Sequence, residues 1–139
     1  MQTTGKCLCG LVSVSATTKH QESDACHCGM CQKWSGSAFI GVELNDGAHW
    51  VGEENIAVYS SSEWAERGFC KQCGTHLFYR FKEGDMLTVP LGLLDNSDGL
   101  ELKKQIFIDE KSPNYSFSGD TTNMTGAEVI AAFQSLSNS

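Results

Sequence analysis

Every cysteine of this chain falls in one of three short clusters: Cys7-Leu8-Cys9, Cys26-His27-Cys28-Gly29-Met30-Cys31 and Cys70-Lys71-Gln72-Cys73. Thiols one or two residues apart can converge on one ion, but they rarely have the separation and side-chain direction that a strain-free disulfide needs. The spacing therefore points to bound metal, and a thiolate-rich set points to zinc. Cys7 and Cys9 lie far along the chain from Cys70 and Cys73, so a four-cysteine site built from these pairs would clamp distant strands together. A closed tetrahedron of four thiolates has no open position and is the expected structural zinc, with a binding energy on the order of 10 kcal/mol that can decide whether a small domain folds.

Cys26, Cys28 and Cys31 remain, and the count of three matters. A three-ligand zinc keeps one position for an exchangeable ligand, which separates a catalytic or labile site from a structural one. Two other readings compete. His27 or His76 could complete the shell and make this site structural as well. Cys28 with Cys31 could instead form a redox pair, although the chain lacks the βαβ context of such motifs. At the four-cysteine site, Cys70 with Cys73 could likewise be a redox pair rather than structural ligands. His27, between two ligands, should turn its ring away from the metal, toward either substrate or solvent. His20 and His49 have no supporting context and read as surface residues.

The 139 residues fit a single domain spanning 1–139, large enough to bury one core. Ten Lys and Arg against 17 Asp and Glu give a formal charge of -7 with no basic stripe, which argues against a nucleic-acid surface. The start, Met1-Gln2-Thr3-Thr4-Gly5-Lys6, has no apolar signal core, and no stretch resembles a membrane span. A cytoplasmic location is expected, and a reducing compartment suits thiolate ligands.

Period-two alternation predicts strands at Val12 and Val14, at Ala38, Ile40, Val42 and Leu44, and at Leu77, Tyr79 and Phe81. Met86 to Leu94 reads as another strand, with Pro90 marking an edge or bulge, and Ile106 to Ile108 as a short last one. Asn114 to Asn123 reads as loop. The one predicted helix is C-terminal. Thr125-Gly126-Ala127-Glu128 offers a capping box, and Ala127, Ile130, Phe133 and Leu136 form the stripe expected to pack on a sheet. Ser137-Asn138-Ser139 is expected to fray. The fold class is mainly β with one C-terminal helix.

Gly5-Lys6-Cys7-Leu8-Cys9-Gly10, Cys26-His27-Cys28-Gly29-Met30-Cys31, Gly36-Ser37-Ala38-Phe39 and Arg67-Gly68-Phe69-Cys70-Lys71-Gln72-Cys73-Gly74-Thr75 resemble the glutathione-dependent formaldehyde-activating enzyme family, which includes centromere protein V-like domains. The resemblance runs from Gly5 to about Asp120. It implies coiled antiparallel sheets around a structural zinc held by Cys7, Cys9, Cys70 and Cys73, and a second, labile zinc at Cys26, Cys28 and Cys31. It also implies a carbon-sulfur lyase that joins glutathione or another thiol to formaldehyde or another aldehyde, and cleaves the adduct. The chain departs from the family pattern at Gln105, where a histidine is common, and at Tyr115, near the usual place of a tryptophan.

On this reading a substrate thiolate occupies the open position of the three-cysteine zinc and attacks an aldehyde. Ser35, Ser37, His27 and Trp34 are candidates to position the adduct. Arg67 and Arg80 could pair with substrate carboxylates, and Asp109 could accept from a substrate amine or order a loop. Two other functions stay open: a non-catalytic thiol carrier or partner-binding module, and a zinc-stapled sulfoxide reductase, which would need a free reactive cysteine.

Overall fold

The computed structural model describes residues 1–137, with side chains described through residue 135. It divides into two compact units, one of Met1–Gln21 and Gly41–Leu100, the other of Glu22–Ile40 and the segment from Glu101 onward. Among the described residues no helix is long and apolar enough to cross a membrane.

The first unit is all β. Strands β1 (Gln2–Lys6), β2 (Ser13–Thr17) and β5 (His49–Val51) pair antiparallel in the order β1-β2-β5. A second antiparallel group joins residues 41–44 of β4 (Phe39–Leu44) to β9 (Leu87–Pro90), then β8 (His76–Phe81), β7 (Ala65–Cys70) and β6 (Ile56–Ser60). Strand alternation sends Val14, Val42, Leu44, Leu77 and Val89 into one cluster, each at most 2% exposed. Cys7 and Cys70 belong to that same cluster, so metal-ligand candidates are part of the core. Residue 68 has no side chain because the Phe78 ring fills that space.

Pro90 is neither on an edge strand nor at a bulge. It is the last residue of β9, opposite Gly41, beyond the point where pairing with β8 ends at Thr88. Its missing N–H therefore interrupts no ladder on the β8 side. The predicted run to Leu94 breaks here into a 3-10 turn, Leu91–Leu93.

The second unit departs from the antiparallel expectation. Strands β3 (Glu22–Cys26), β10 (Glu101–Ile106) and β11 (Thr122–Met124) run parallel in the order β11-β10-β3, with Ile106 opposite Cys26. A helix absent from the sequence reading, α1 (Gly29–Ser35), follows β3. Its seven residues offer no amphipathic period, but its ends are capped: the Cys28 sulfur accepts from the Cys31 amide, and Gly36 closes the other end in left-handed backbone.

The predicted strand over 106–108 ends at Ile106. Phe107 has φ of 53°, turning the chain into a 3-10 turn, Ile108–Glu110. Its ring lies where a Cβ at Gly126 would be, which holds the start of α2 (Gly126–Ser137). The predicted capping box is present: Glu128 accepts from the Thr125 amide at 3.0 Å, and Thr125 Oγ1 accepts from the Glu128 amide at 3.2 Å. The packing stripe is not the predicted one. Gly126 and Val129 are buried, whereas Ala127, Ile130 and Phe133 are exposed. The Phe107 ring under Gly126 and the Asp109 carboxylate on the Gly126 amide, at 2.8 Å, set the rotation of the first turn. The Leu136 side chain, and the end of the stretch expected to fray, lie outside the described residues.

A Cβ at residue 68 would stand 2.3 Å from the Phe78 ring. Gly68→Ala is therefore expected to destabilise the first unit by about 1–3 kcal/mol, read as a lowered urea midpoint.

Candidate metal centres

Two groups of sulfur atoms lie close enough to hold a metal ion. In the first unit the Sγ atoms of Cys7, Cys9, Cys70 and Cys73 are all within 4.8 Å of one another. In the second unit those of Cys26, Cys28 and Cys31 meet the same limit. All seven cysteines are free thiols. The Cys7–Cys9 and Cys9–Cys70 sulfurs are 3.6 and 3.8 Å apart. That is too long for a disulfide and matches the edge of about 3.8 Å that four thiolates make around a tetrahedral ion at about 2.3 Å.

Two tight turns create the quartet. In the first, the Cys7 amide donates to Val12 O and the Gly10 amide to Cys7 O; in the second, the Cys70 amide donates to Thr75 O and the Gly74 amide to Cys70 O. Gly10 and Gly74 both have positive φ, 83° and 77°, which lets the backbone reverse immediately after the second cysteine of each pair. Thr75 links the turns. Its hydroxyl accepts from the Leu8 amide at 3.0 Å and lies 3.2 Å from Cys73 Sγ. The sequence reading did not single out Thr75.

The environment divides the quartet electrostatically. At Cys7, burial opposes ionisation, but hydrogen bonds from the Val12 amide, Cys9 and Cys70 outweigh it and hold the thiol below its usual pKa. Cys73 is lowered to about 5, first by the Thr75 hydroxyl and then by the Thr75 amide. Cys9 goes the other way, to about 12: the Leu11 amide favours its thiolate, but desolvation and the neighbouring sulfurs of Cys7, Cys73 and Cys70 outweigh that. Closely spaced thiolates cannot all ionise without a cation between them.

The trio comes from one six-residue stretch. Cys26 ends β3, Cys28 caps α1 and Cys31 is the buried residue of its first turn. Cys26 is raised well above the thiol range, first by its hydrogen bonds with Cys28 and Cys31, then by desolvation and the charge on Cys31. Gln32 clasps the stretch, with Nε2 donating to His27 O at 2.6 Å and Glu110 O at 2.8 Å.

His27 is not among the clustered ligand atoms, and it does not reach solvent. Its ring turns away as expected but is fully buried, with Nε2 2.8 Å from Gln105 Oε1 and with Tyr115 and Phe117 centroids at 6.3 and 6.0 Å. Its Nδ1 has no hydrogen-bond partner among the described residues.

The other candidates have structural contacts. Trp34 packs against Phe39 in a tilted pair with centroids 5.6 Å apart, the Ser35 hydroxyl is buried, and Ser37 donates to Ala38 O. Asp109 caps α2 through the Gly126 amide. In the first unit Arg67 is 3% exposed, with its guanidinium over Tyr79, and Arg80 pairs with Glu66 at 2.6 Å and lies over Phe78. Neither arginine is a free carboxylate clamp.

Residues 2–110 match the glutathione-dependent formaldehyde-activating enzyme family. A Schizosaccharomyces pombe protein named as an uncharacterized lyase is 31% identical over 127 residues, covering 91% of this chain and 93% of its own. A Podospora anserina protein bearing the family's name is 34% identical over 83 residues, covering 56% of this chain but 39% of its own length. A crystal structure of a Rhodobacter sphaeroides protein superposes with a TM-score of 0.59 at 20% identity, over 72% of this chain and 99% of that one, and so shares the fold. The chain belongs to the glutathione-dependent formaldehyde-activating enzyme family.

Because Cys9 and Cys26 are raised, both are protonated near neutral pH in the metal-free protein. Loading with Zn2+ is expected to release protons to a pH indicator, and apparent affinity should fall as pH is lowered.

Proposed function

We propose that this family member is a zinc-dependent carbon-sulfur lyase that acts on a thiol such as glutathione and an aldehyde such as formaldehyde. The observation that carries the reading is the trio: three sulfurs gathered on one short segment, beside a histidine whose ring is committed to Gln105. Three soft donors suit zinc and leave one of its four positions for an exchangeable ligand. The quartet, with Cys7 and Cys70 in the core of the first unit and Cys9 at its surface, suits a closed structural zinc.

Cys26, Cys28 and Cys31 hold the exchangeable zinc, and Cys7, Cys9, Cys70 and Cys73 hold the structural one. At the trio, bound zinc would supply a Lewis acid that lowers the pKa of an incoming thiol. The protein's own part is to fix the geometry. The cap at Cys28, the Gln32 clasp and the buried His27 ring fix the stretch whose three sulfurs lie within 4.8 Å of one another. In the overall reaction the substrate sulfur adds to the aldehyde carbon and a C–S bond forms. The carbonyl π pair moves onto oxygen, which takes up the proton the thiol gave up. The reverse reaction breaks the C–S bond and returns thiol and aldehyde.

A sulfoxide reductase needs a cysteine outside the metal sets, and all seven belong to them. A carrier that binds thiol without turnover is separated from the lyase by rate. Zinc-loaded protein is expected to accelerate adduct formation from formaldehyde and glutathione above the spontaneous reaction, followed by NMR of the adduct methylene. An unchanged rate rejects the lyase and leaves thiol binding.

Cys28→Ser is expected to remove about one equivalent of zinc and the acceleration while sparing the urea midpoint, whereas Cys73→Ser should compromise folding itself. Equal damage from both, by metal analysis and circular dichroism, would mean that the two sets are divided wrongly.

A further inference from the structure

A polar relay runs from the surface of the second unit inward to the buried residue between Cys26 and Cys28. Thr121 Oγ1 donates to Asn123 Oδ1 at 2.6 Å and accepts from Gln105 Nε2 at 2.9 Å. The amide of Gln105 is thereby oriented, with Oε1 toward His27 Nε2 at 2.8 Å. A carbonyl oxygen only accepts, so Nε2 carries the shared hydrogen. This is the ring's one hydrogen bond among the described residues, since Nδ1 has no partner. The backbone of His27 is fixed as well: its amide donates to Ile106 O at 3.1 Å, and its carbonyl accepts from Gln32 Nε2.

Successive side chains of extended backbone point to opposite sides. Cys26 ends a strand and Cys28 has extended φ and ψ of -61° and 155°, so a ring clamped to one side at residue 27 turns both flanking sulfurs to the other. We propose that Gln105 is a positioning residue for the three-cysteine site, acting through the His27 ring to hold the Cys26 and Cys28 sulfurs in ligating orientation. Gln105 lies opposite Ala25 in the parallel ladder and is 6% exposed, so it reaches His27 without meeting substrate. The inference rests on the reading of this trio as an exchangeable zinc site.

The test compares zinc-loaded wild type with Gln105→Leu, which keeps bulk and removes the acceptor, Gln105→Glu, which keeps the acceptor, and Thr121→Val, which leaves Gln105 and His27 in place but frees the amide to rotate. Three quantities are read: chelator competition for each zinc equivalent, the nitrogen-15 signature of the His27 ring, and the urea midpoint. Wild type should show the hydrogen on Nε2. Gln105→Leu should lose that signature and release the exchangeable equivalent about tenfold more readily, with the other equivalent unmoved. Gln105→Glu should restore retention, and Thr121→Val should shift it in the same direction as Gln105→Leu by less. Unchanged retention in both Gln105→Leu and Thr121→Val overturns the proposal, as does a Glu variant as impaired as the Leu variant, since the role is then packing alone. Should Gln105→Leu not fold, Thr121→Val decides. A wild type that takes up no second zinc defeats the site reading and this inference together, whereas normal uptake that is indifferent to these variants defeats the inference alone.

Discussion

Four sulfur atoms within 4.8 Å of one another cannot all carry charge unless something positive lies among them. The first unit is built around that constraint. Two sulfurs, on Cys7 and Cys70, are buried in the same cluster as Val42, Leu77 and Phe78, so packing the core brings the charges together, and neutralising the charges lets the core close. The distribution of acidity expresses the same tension: Cys73, supported by Thr75, ionises easily, while Cys9 retains its proton up to about 12. The turns behind these residues, each with a glycine at positive φ, are what the metal would otherwise have to impose on the chain.

The parts legible in the sequence were those whose signal is local. Cysteine spacing separated quartet from trio, and Thr125 with Glu128 announced the start of α2. Strand β4 was recognisable because Val42 and Leu44, two of its buried positions, are large and apolar. Strand β1 was not, because its buried positions are Thr3 and Gly5, and the latter passes so near Leu93 O that a Cβ would stand 2.5 Å away. The failure at 106–108 has the same origin. Three consecutive apolar residues suit a strand, but the left-handed turn at Phe107 is stabilised by the space above Gly126, nineteen residues further on. The face of α2 was misassigned because that same contact, with Asp109, sets its rotation.

Around the trio the illegible part was the polar interior. His27 looked like a substrate or solvent residue because its neighbours in sequence are ligands. Its burial depends on Gln105, Tyr115 and Phe117, which are remote along the chain. Gln105 and Tyr115 both meet the same ring, so both bear on the packing around one buried histidine. Tyr115 has a further role, since its hydroxyl accepts from the Ala38 amide at 3.0 Å.

The two sulfur sets differ in how much chain they span. Cys9 and Cys70 stand 61 residues apart, so an ion held by the quartet closes a long loop that a denatured polypeptide would rarely form. The trio occupies six consecutive positions, so an ion held there closes only a short loop, one that a disordered peptide forms far more readily. Ligand that binds native and denatured forms alike does not favour either. An ion held by the long-span set would thus couple metal supply to the survival of the native state, while one held by the short-span set would do so much less.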